Sequence, residues 1–297
     1  MKCDLCPRKC LVDRKKGEKG ICGQTENLKV ARAALHFWEE PCISGDAGSG
    51  AVFFSGCPLH CVFCQNENIA NGTVGKEISV ERLAEIFLEL QEKGANNINL
   101  VTPGHFVPQI TKALDLAKQE GLKLPIVYNT SSYETVETIK RLEGYVDIYL
   151  PDFKYMSPGL SKKYSHAPDY AEVAKAAIAE MVRQTGKAVF VNGDEDNLIL
   201  RGTIVRHLTL PGCMADSMQI LKYLHETYGD MIYISIMNQF TPLSNLEKYP
   251  ELNRRITDEE YETLVDYAIE IGIENGFIQE GDTAEESFIP AFDCEGV

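Results

Sequence analysis

The sequence predicts an α/β fold built on a parallel sheet, and two observations support this fold class. From residue 51 onward, short apolar runs alternate with amphipathic stretches, which is typical of repeated βα units. Several runs are almost continuously apolar and rich in Val and Ile, as expected for strands that are buried on both faces. Six or seven such units indicate a partial or complete (β/α) barrel, with a doubly wound open sheet as the alternative.

The predicted strands follow one another at the spacing of βα repeats. Each is short and apolar and runs into a polar segment. They cover residues 51–56, 97–101, 126–129, 146–150, 188–192, 203–210 and 231–237. Parallel neighbours joined by right-handed crossovers require helices between these strands.

Helix signals occupy the intervening stretches. Ser79 is placed to cap a helix with apolar residues at helical spacing. Thr257 and Glu260 have the spacing of a capping box before a second apolar helical face. Asp169 and Asp216 are predicted caps for two further helices.

Composition and charge narrow the class of protein. A chain of 297 residues allows one large α/β domain with a small appendage. The net charge of −15 argues against nucleic acid or an anionic membrane as a partner, because both need clustered Lys and Arg. No apolar run approaches the roughly 18 residues of a membrane span, and the start MKCDLCPRKC lacks a signal-peptide core. We therefore expect a cytoplasmic protein.

Polar residues follow most of the predicted strands. In either fold, sites form where the carboxyl ends of the strands meet. The residues at these positions are Cys57, Thr102, His105, Asn129, Thr130, Ser131, Asp152, Lys154, Asn192, Asn238 and Gln239. Their convergence favours an enzyme over a carrier protein.

Three cysteines just beyond the first predicted strand have the spacing C-x3-C-x2-C: Cys57, Cys61 and Cys64. Three thiolates can hold three irons of a four-iron cluster, which leaves one iron open to bind a substrate or cofactor. The alternative is a zinc site, which needs a fourth ligand. His60 is the nearby candidate, but its place inside the loop strains closure.

Residues 1–50 differ from the remainder, so we predict a small cysteine-rich module at 1–50 and a barrel domain at 51–297. The module is glycine-punctuated and poor in periodicity. It contains a C-x2-C-x3-C-x11-C pattern formed by Cys3, Cys6, Cys10 and Cys22. Four thiolates suit either zinc or an auxiliary iron–sulfur cluster, and the spacing does not distinguish them.

The other cysteines, Cys42, Cys213 and Cys294, stand alone in the sequence. Isolated cysteines are usually buried, unreactive thiols. Cys213 follows Pro211 and Gly212 at a predicted strand end, which makes it a candidate to face the site.

The cysteine loop, with Phe63 before its last cysteine and βα repeats after it, resembles the radical S-adenosylmethionine (SAM) superfamily. The blocks CDLCPRKC, ARAALHFWEEPCISG and NLVTPGHFVPQI are similar to those of its pyruvate formate-lyase-activating-enzyme-like group, in the branch with an N-terminal cysteine module. The resemblance implies a barrel of the radical SAM type and a [4Fe–4S] cluster on the three loop cysteines. It also implies an oxidoreductase that cleaves SAM reductively to a 5′-deoxyadenosyl radical, which abstracts hydrogen from a substrate.

The resemblance further implies residues that bind SAM. Phe63 resembles a hydrophobic position near the adenine. The place of a GGE-like motif that holds the amino group reads TPGH here, so Thr102 and backbone carbonyls are the candidates. Asn129 with Thr130 resembles an Asp-Thr pair that helps to hold a cation and the cofactor carboxylate. Thr130 alternatively only stabilises a turn.

Three more residues are implied at the cofactor. Asp152 and Lys154 resemble an Asp-Leu-Lys motif, and Arg206 resembles an arginine near SAM. The alternatives are a surface pair of Asp152 with Lys154 and a structural ion pair for Arg206. His105 and His207 are interpreted as satisfied core groups. The sequence assigns no catalytic residue.

Three functions follow from these expectations. In the first, the enzyme activates a glycyl-radical enzyme, using a low-potential electron donor as a further partner. In the second, the same chemistry acts on a small molecule or modifies another protein. In the third, the chain is an iron–sulfur electron carrier without a substrate, which the full set of βα units disfavours.

Overall fold

The chain folds around one mixed sheet, and the computed structural model describes residues 2–195, 197–242, 246–279 and 290–297. The strands are β1 (Leu28–His36), β2 (Ser49–Phe54), β3 (Lys76–Ile78), β4 (Ile98–Val101), β5 (Ile126–Thr130), β6 (Ile148–Pro151), β7 (Val189–Phe190), β8 (Ile199–Leu208), β9 (Tyr233–Met237) and β10 (Gly276–Ile278). The helices are α1 (Pro41–Ser44), α2 (Glu67–Ala70), α3 (Val80–Glu92), α4 (Val107–Gln119), α5 (Val136–Lys140), α6 (Pro158–Ser165), α7 (Tyr170–Thr185), α8 (Met214–Tyr228) and α9 (Asp258–Glu270).

The sheet is a partial barrel. Its strand order is β10-β9-β8-β6-β5-β4-β2-β1-β3, with β7 beside β8. The strands from β10 to β2 along this order run parallel, whereas β1 pairs antiparallel with β2 and β3. Within the described ranges the outer strands β10 and β3 do not meet, so the sheet stays open. The predicted fold class is confirmed in its partial form.

Six of the seven predicted strands are present as parallel strands, within a few residues of the expected bounds. The prediction of a barrel strand at 188–192 was wrong. Only β7 forms there, and it pairs antiparallel with β8 because a 3₁₀ turn with Asn192 at a φ of 58° ends it.

Strand β1 was not predicted, because its sequence LKVARAALH is rich in Ala and lacks a Val and Ile run. It lies within the predicted module and joins the main sheet beside β2. The division of the chain at residue 50 stays a prediction, and it falls inside β2.

The predicted helix caps have different outcomes. Ser79 caps α3, and Thr257 caps α9 with a complete capping box. Asp169 occupies the N-cap position of α7, but its carboxylate accepts a hydrogen bond from a tyrosine hydroxyl instead. The prediction for Asp216 was wrong, because it lies inside α8 and its carboxylate accepts from the backbone N–H groups of residues 156 and 157.

The two faces of the sheet are covered differently. Helices pack against the outer face, where α3 lies on α4, α5 on α7, and α8 on α9. The short helix α1 instead enters the concave inner face. Its residues Cys42 and Ile43 pack against Val127, Ile148 and Leu150 near the amino ends of the strands. This leaves the inner face open at the carboxyl ends.

None of the described helices combines the length and the apolar character that a membrane span requires.

Candidate active site

A cavity of about 330 Å³ opens at the carboxyl ends of the parallel strands. This volume is within the range of small-molecule sites. The three loop cysteines line it, and so does every residue that was predicted to bind SAM: Phe63, Thr102, Asn129, Thr130, Asp152, Lys154 and Arg206. The structure therefore brings the predicted residues together in one cavity. What these residues bind stays a prediction.

The cysteine loop is held in place by the amino-terminal segment and by α6. Gly56 has a φ of 91°, which favours glycine, and a Cβ there would clash with the carbonyl oxygen of Cys22. The N–H of Val62 donates to the carbonyl of Tyr164 at 2.8 Å. The side chain of Arg8 donates to the carbonyl of Pro58 at 2.9 Å. The path of the loop thus depends on contacts distant in sequence.

Burial dominates the chemistry of the loop thiols. It raises the pKa of Cys57 to about 11 and also raises the pKa values of Cys61 and Cys64, and neighbouring thiols raise those of Cys57 and Cys64 further. The Ser165 hydroxyl donates to the Cys61 sulfur at 3.1 Å and meets the Tyr155 hydroxyl at 2.7 Å. Thiols in such a site become thiolates when a positive metal centre is bound.

His60 does not complete a zinc site with these cysteines. Its backbone has a φ of 52°, and its Nε2 lies 2.8 Å from the carbonyl oxygen of Ile21. The ring therefore faces the amino-terminal segment. Three thiols without His60 as a fourth ligand fit the ligand set of a four-iron cluster with one open iron.

A chain of ion pairs lies beside the loop. Arg206 donates from Nε to Asp152 Oδ1 at 2.9 Å, from Nη1 to Glu39 Oε2 at 2.9 Å and from Nη2 to Asn129 Oδ1 at 2.7 Å. Lys154 Nζ donates to Asp152 Oδ2 at 2.7 Å. The side chains of Asp152 and Lys154 are only 20% and 15% exposed. Asp152 and Lys154 thus form the ion pair of the alternative interpretation, but this pair lies in the cavity wall and not on the surface.

The paired charges keep these groups ionised despite their burial. Burial alone would raise the pKa of Asp152, but Lys154 and Arg206 hold that pKa below its usual value. Burial alone would lower the pKa of Lys154, but the Asp152 carboxylate and the Cys61 thiol raise it. The cavity wall therefore carries fixed charges of both signs.

The hydroxyl of Thr130 has two partners within its own turn. It donates to Glu134 Oε1 at 2.9 Å and accepts from the Ser132 N–H at 3.3 Å. Burial raises the pKa of Glu134 to about 7. Thr130 lines the cavity, and its hydroxyl proton stabilises the turn, which is the alternative role given for Thr130 above.

The strand end at Thr102 adopts an uncommon backbone conformation. Thr102 has a φ of 57°, and its N–H donates to the carbonyl of Asn129 at 2.9 Å. The two nearby histidines are core groups. Burial lowers the pKa values of His105 and His207 to about 4, and His207 has partners at both ring nitrogens, Phe153 O and Ser217 Oγ.

Sequence reasoning missed two acidic residues in the cavity. Glu39 and Glu40 lie between β1 and α1 and line its inner end. Glu39 Oε1 accepts from Asn99 and Asn129 at 3.0 and 3.2 Å. The signal in the sequence was an acidic pair directly before Pro41, between two apolar stretches.

The four amino-terminal cysteines lie near one another. Burial raises the pKa of Cys6 to about 12, and the neighbouring thiols Cys10 and Cys22 raise it further. Cys3 and Cys10 likewise raise the pKa of Cys22, after burial. Within the described part of the chain, no group of three or more His, Cys, Asp or Glu side chains is poised to hold a metal ion. A metal at either cysteine set stays a prediction.

The isolated cysteines do not line this cavity. Cys42 is buried beneath the cavity in α1. Cys213 is buried at the start of α8, in the apolar cluster that also contains Phe63, but it is not among the residues that line the cavity. The prediction that Cys213 faces the site was wrong, because the Gly212 turn directs the chain into α8. Cys294 is partly buried beside β1.

Comparison with known proteins identifies relatives of the sequence. The model of the radical SAM superfamily matches residues 51–199. Uncharacterized protein MJ0674 of Methanocaldococcus jannaschii is 27% identical over 276 residues, covering 90% of this chain and 74% of that protein.

Comparison with solved structures gives the same fold at low identity. SuiB of Streptococcus suis bound to the precursor peptide SuiA has a TM-score of 0.51 at 14% identity, covering 76% of this chain and 47% of SuiB. The [FeFe]-hydrogenase maturase HydG has a TM-score of 0.51 at 15% identity, covering 78% of this chain and 52% of HydG. The chain thus spans about half the length of these two proteins, and the likeness shows the fold alone.

Proposed function

The chain belongs to the radical SAM superfamily, and from this premise we propose that it is an oxidoreductase that cleaves SAM reductively and abstracts hydrogen from a substrate. One observation carries the proposal. A single cavity joins three cysteines to the charged and aromatic side chains that the resemblance assigns to SAM.

Cys57, Cys61 and Cys64 would hold the [4Fe–4S] cluster. When bound, the cluster and SAM supply one electron and a 5′-deoxyadenosyl radical for hydrogen abstraction. Lys154 offsets the negative charge of the thiolates, since the Cys61 thiol already raises its pKa. The three cysteines are only partly exposed, which limits the access of water.

The remaining side chains would orient SAM. Phe63 presents an apolar wall for the adenine, held by edge contacts with Tyr155 and Phe240. Arg206 uses three of its five N–H donors in the ion-pair chain, which leaves two for the cofactor carboxylate. Its guanidinium bonds Asn129 Oδ1, so Arg206 supplies the positive charge that a cation provides in activating enzymes.

The experiment is anaerobic reconstitution, reduction and detection of 5′-deoxyadenosine and methionine. Replacing Cys57, Cys61 or Cys64 by Ala should abolish cleavage. Cys294→Ala is the matched control, because that thiol lies outside the cavity. A wild-type protein with an intact four-iron cluster and no cleavage would contradict the proposal.

For the substrate, we propose activation of a glycyl-radical enzyme, with a small molecule or another protein as the second candidate. The open edge of the partial barrel supports the first, because a peptide loop can approach the cavity from that side. Incubation with candidate partners should produce a glycyl radical signal in electron spin resonance. If SAM is cleaved and no partner gains a radical, the second candidate is favoured.

We also propose that Cys3, Cys6, Cys10 and Cys22 hold zinc or an auxiliary iron–sulfur cluster. The Cys10 sulfur accepts a hydrogen bond from the N–H of Ile21, next to Cys22, at 3.3 Å, which supports a common site. Metal analysis tests this directly. Cys3→Ser should lose the metal bound by the amino-terminal cysteines and keep the cluster of the cysteine loop. Equal metal content in Cys3→Ser and the wild type would contradict this proposal.

A further inference from the structure

We propose that Glu40 binds a protonated nitrogen, an ammonium or guanidinium, carried by the substrate. The inference deepens the proposed function and rests on it, because it assigns a substrate class to the same cavity. It depends on the placement of Glu40, on the charges around it and on one oxygen atom without a partner.

Glu40 lies at the inner end of the cavity. It directly precedes α1, the helix that fills the concave face below, and Pro41 fixes the start of that helix. The side chain is buried, with 8% of the residue exposed, yet it lines the cavity. A ligand that enters from the open end of the strands therefore meets Glu40 at the bottom.

The charges at this end do not balance. Asp152 has Lys154 and Arg206 as partners, and Glu39 has Arg206. Burial raises the pKa of Glu40, and Arg206 offsets this only in part, because the hydrogen bonds of Arg206 go to other residues. Three carboxylates thus share two cations, and Glu40 is the one without a direct cationic partner among the described residues.

One carboxylate oxygen of Glu40 also lacks a hydrogen-bond partner. The Ser235 hydroxyl stabilises the charged form of the group, but Oε2 has no donor in the described part of the chain. A buried oxygen without a donor is costly, and a ligand donor removes that cost. An ammonium or guanidinium group provides both the donor and the missing positive charge.

We assign the nitrogen to the substrate because Glu40 is connected to the cysteines only through the ion-pair chain, and the test below separates this role from binding of the SAM amino group. Lys154 lies next to Cys61, followed by Asp152, Arg206 and then Glu39. The amino group of SAM is expected at the cluster, beside the cysteines. The substrate is therefore a small amine or a protein segment with a basic side chain.

The test uses the cluster-loaded protein with SAM, reductant and one of two perdeuterated probes, n-butylamine or n-butanol. The probes have similar size, and only the amine is protonated at neutral pH. Mass spectrometry then gives the deuterated fraction of the 5′-deoxyadenosine formed. We expect about tenfold more deuterium from the amine than from the alcohol in the wild type.

Two isosteric variants complete the test. Glu40→Gln should reduce labelling by the amine to the level of the alcohol, whereas Glu120→Gln, at an exposed position outside the cavity, should not. Equal labelling by both probes in the wild type, including none, would overturn the inference. A fall in SAM affinity in Glu40→Gln without a fall in amine labelling would also overturn it and assign Glu40 to SAM. Failure to form any 5′-deoxyadenosine would instead contradict the proposed function.

Discussion

Substitution of Gly56 by Ala tests whether the amino-terminal segment holds the cysteine loop in place. Gly56 directly precedes Cys57 and has a φ of 91°. A Cβ at this position would clash with the carbonyl oxygen of Cys22 and lie 2.6 Å from Cγ of Gln24. The variant therefore forces the loop and the amino-terminal segment apart.

The structure offers a matched control in Gly94. Its φ of 85° is nearly the same, but a Cβ there meets nothing within 4 Å. The left-handed conformation costs an L-residue about 1–2 kcal/mol at either site. Overpacking against the backbone adds about 1–3 kcal/mol for Gly56→Ala alone. We expect Gly56→Ala to lose about 2–5 kcal/mol and Gly94→Ala about 1–2 kcal/mol.

Chemical denaturation followed by far-UV circular dichroism measures both variants under reducing, anaerobic conditions. The rate at which a chelator removes iron from the reconstituted protein gives a second readout, which should rise only for Gly56→Ala, next to Cys57. If the two variants differ by less than about 0.5 kcal/mol, the contact with Cys22 does not hold the loop.

Three further changes have defined outcomes. Burial raises the pKa of Glu134 from 4.5 to about 7, so the free energy of unfolding should fall as the pH rises through this range. Denaturation midpoints measured from pH 5 to 8 should show this fall in the wild type and lose it in Glu134→Gln. Ser165→Ala removes the donor to Cys61 and should make the cluster potential more negative in a spectroscopic redox titration, whereas Ser161→Ala on the same helix should not. Arg8→Lys keeps the charge but loses the fork that bonds three carbonyl groups, so the apparent free energy of unfolding should fall by about 1–2 kcal/mol; an unchanged value would refute this role.

The sequence predicted much of the cavity wall because parallel strands end at the same edge. Thr102, Asn129 and Asp152 are far apart in the chain, yet each follows or ends a strand whose apolar run marks it clearly. Their convergence needs only the fold class and no knowledge of side-chain contacts. The same reasoning located Cys57 beyond the first parallel strand.

The inner end of the cavity could not be predicted in this way. Strand β1 has no clear apolar run, and it forms because it pairs with β2, a contact that its own sequence does not indicate. Nothing local indicates that the following segment turns into the concave face. Glu39 and Glu40 therefore read as surface acids in the sequence, and only tertiary packing makes them part of the site.

The entry of α1 into the partial barrel has a consequence for the engineering and divergence of this fold. The connection between β1 and β2 forms the inner end of the cavity. Its length and the size of the side chains of Cys42 and Ile43 determine how deeply a ligand can enter the cavity. Insertions or deletions between residues 37 and 48 would change the reach of the cavity while leaving the cysteine loop on a separate segment. Substrate size can thus change through one segment of the sequence while the cysteine loop, which lies on another segment, stays the same.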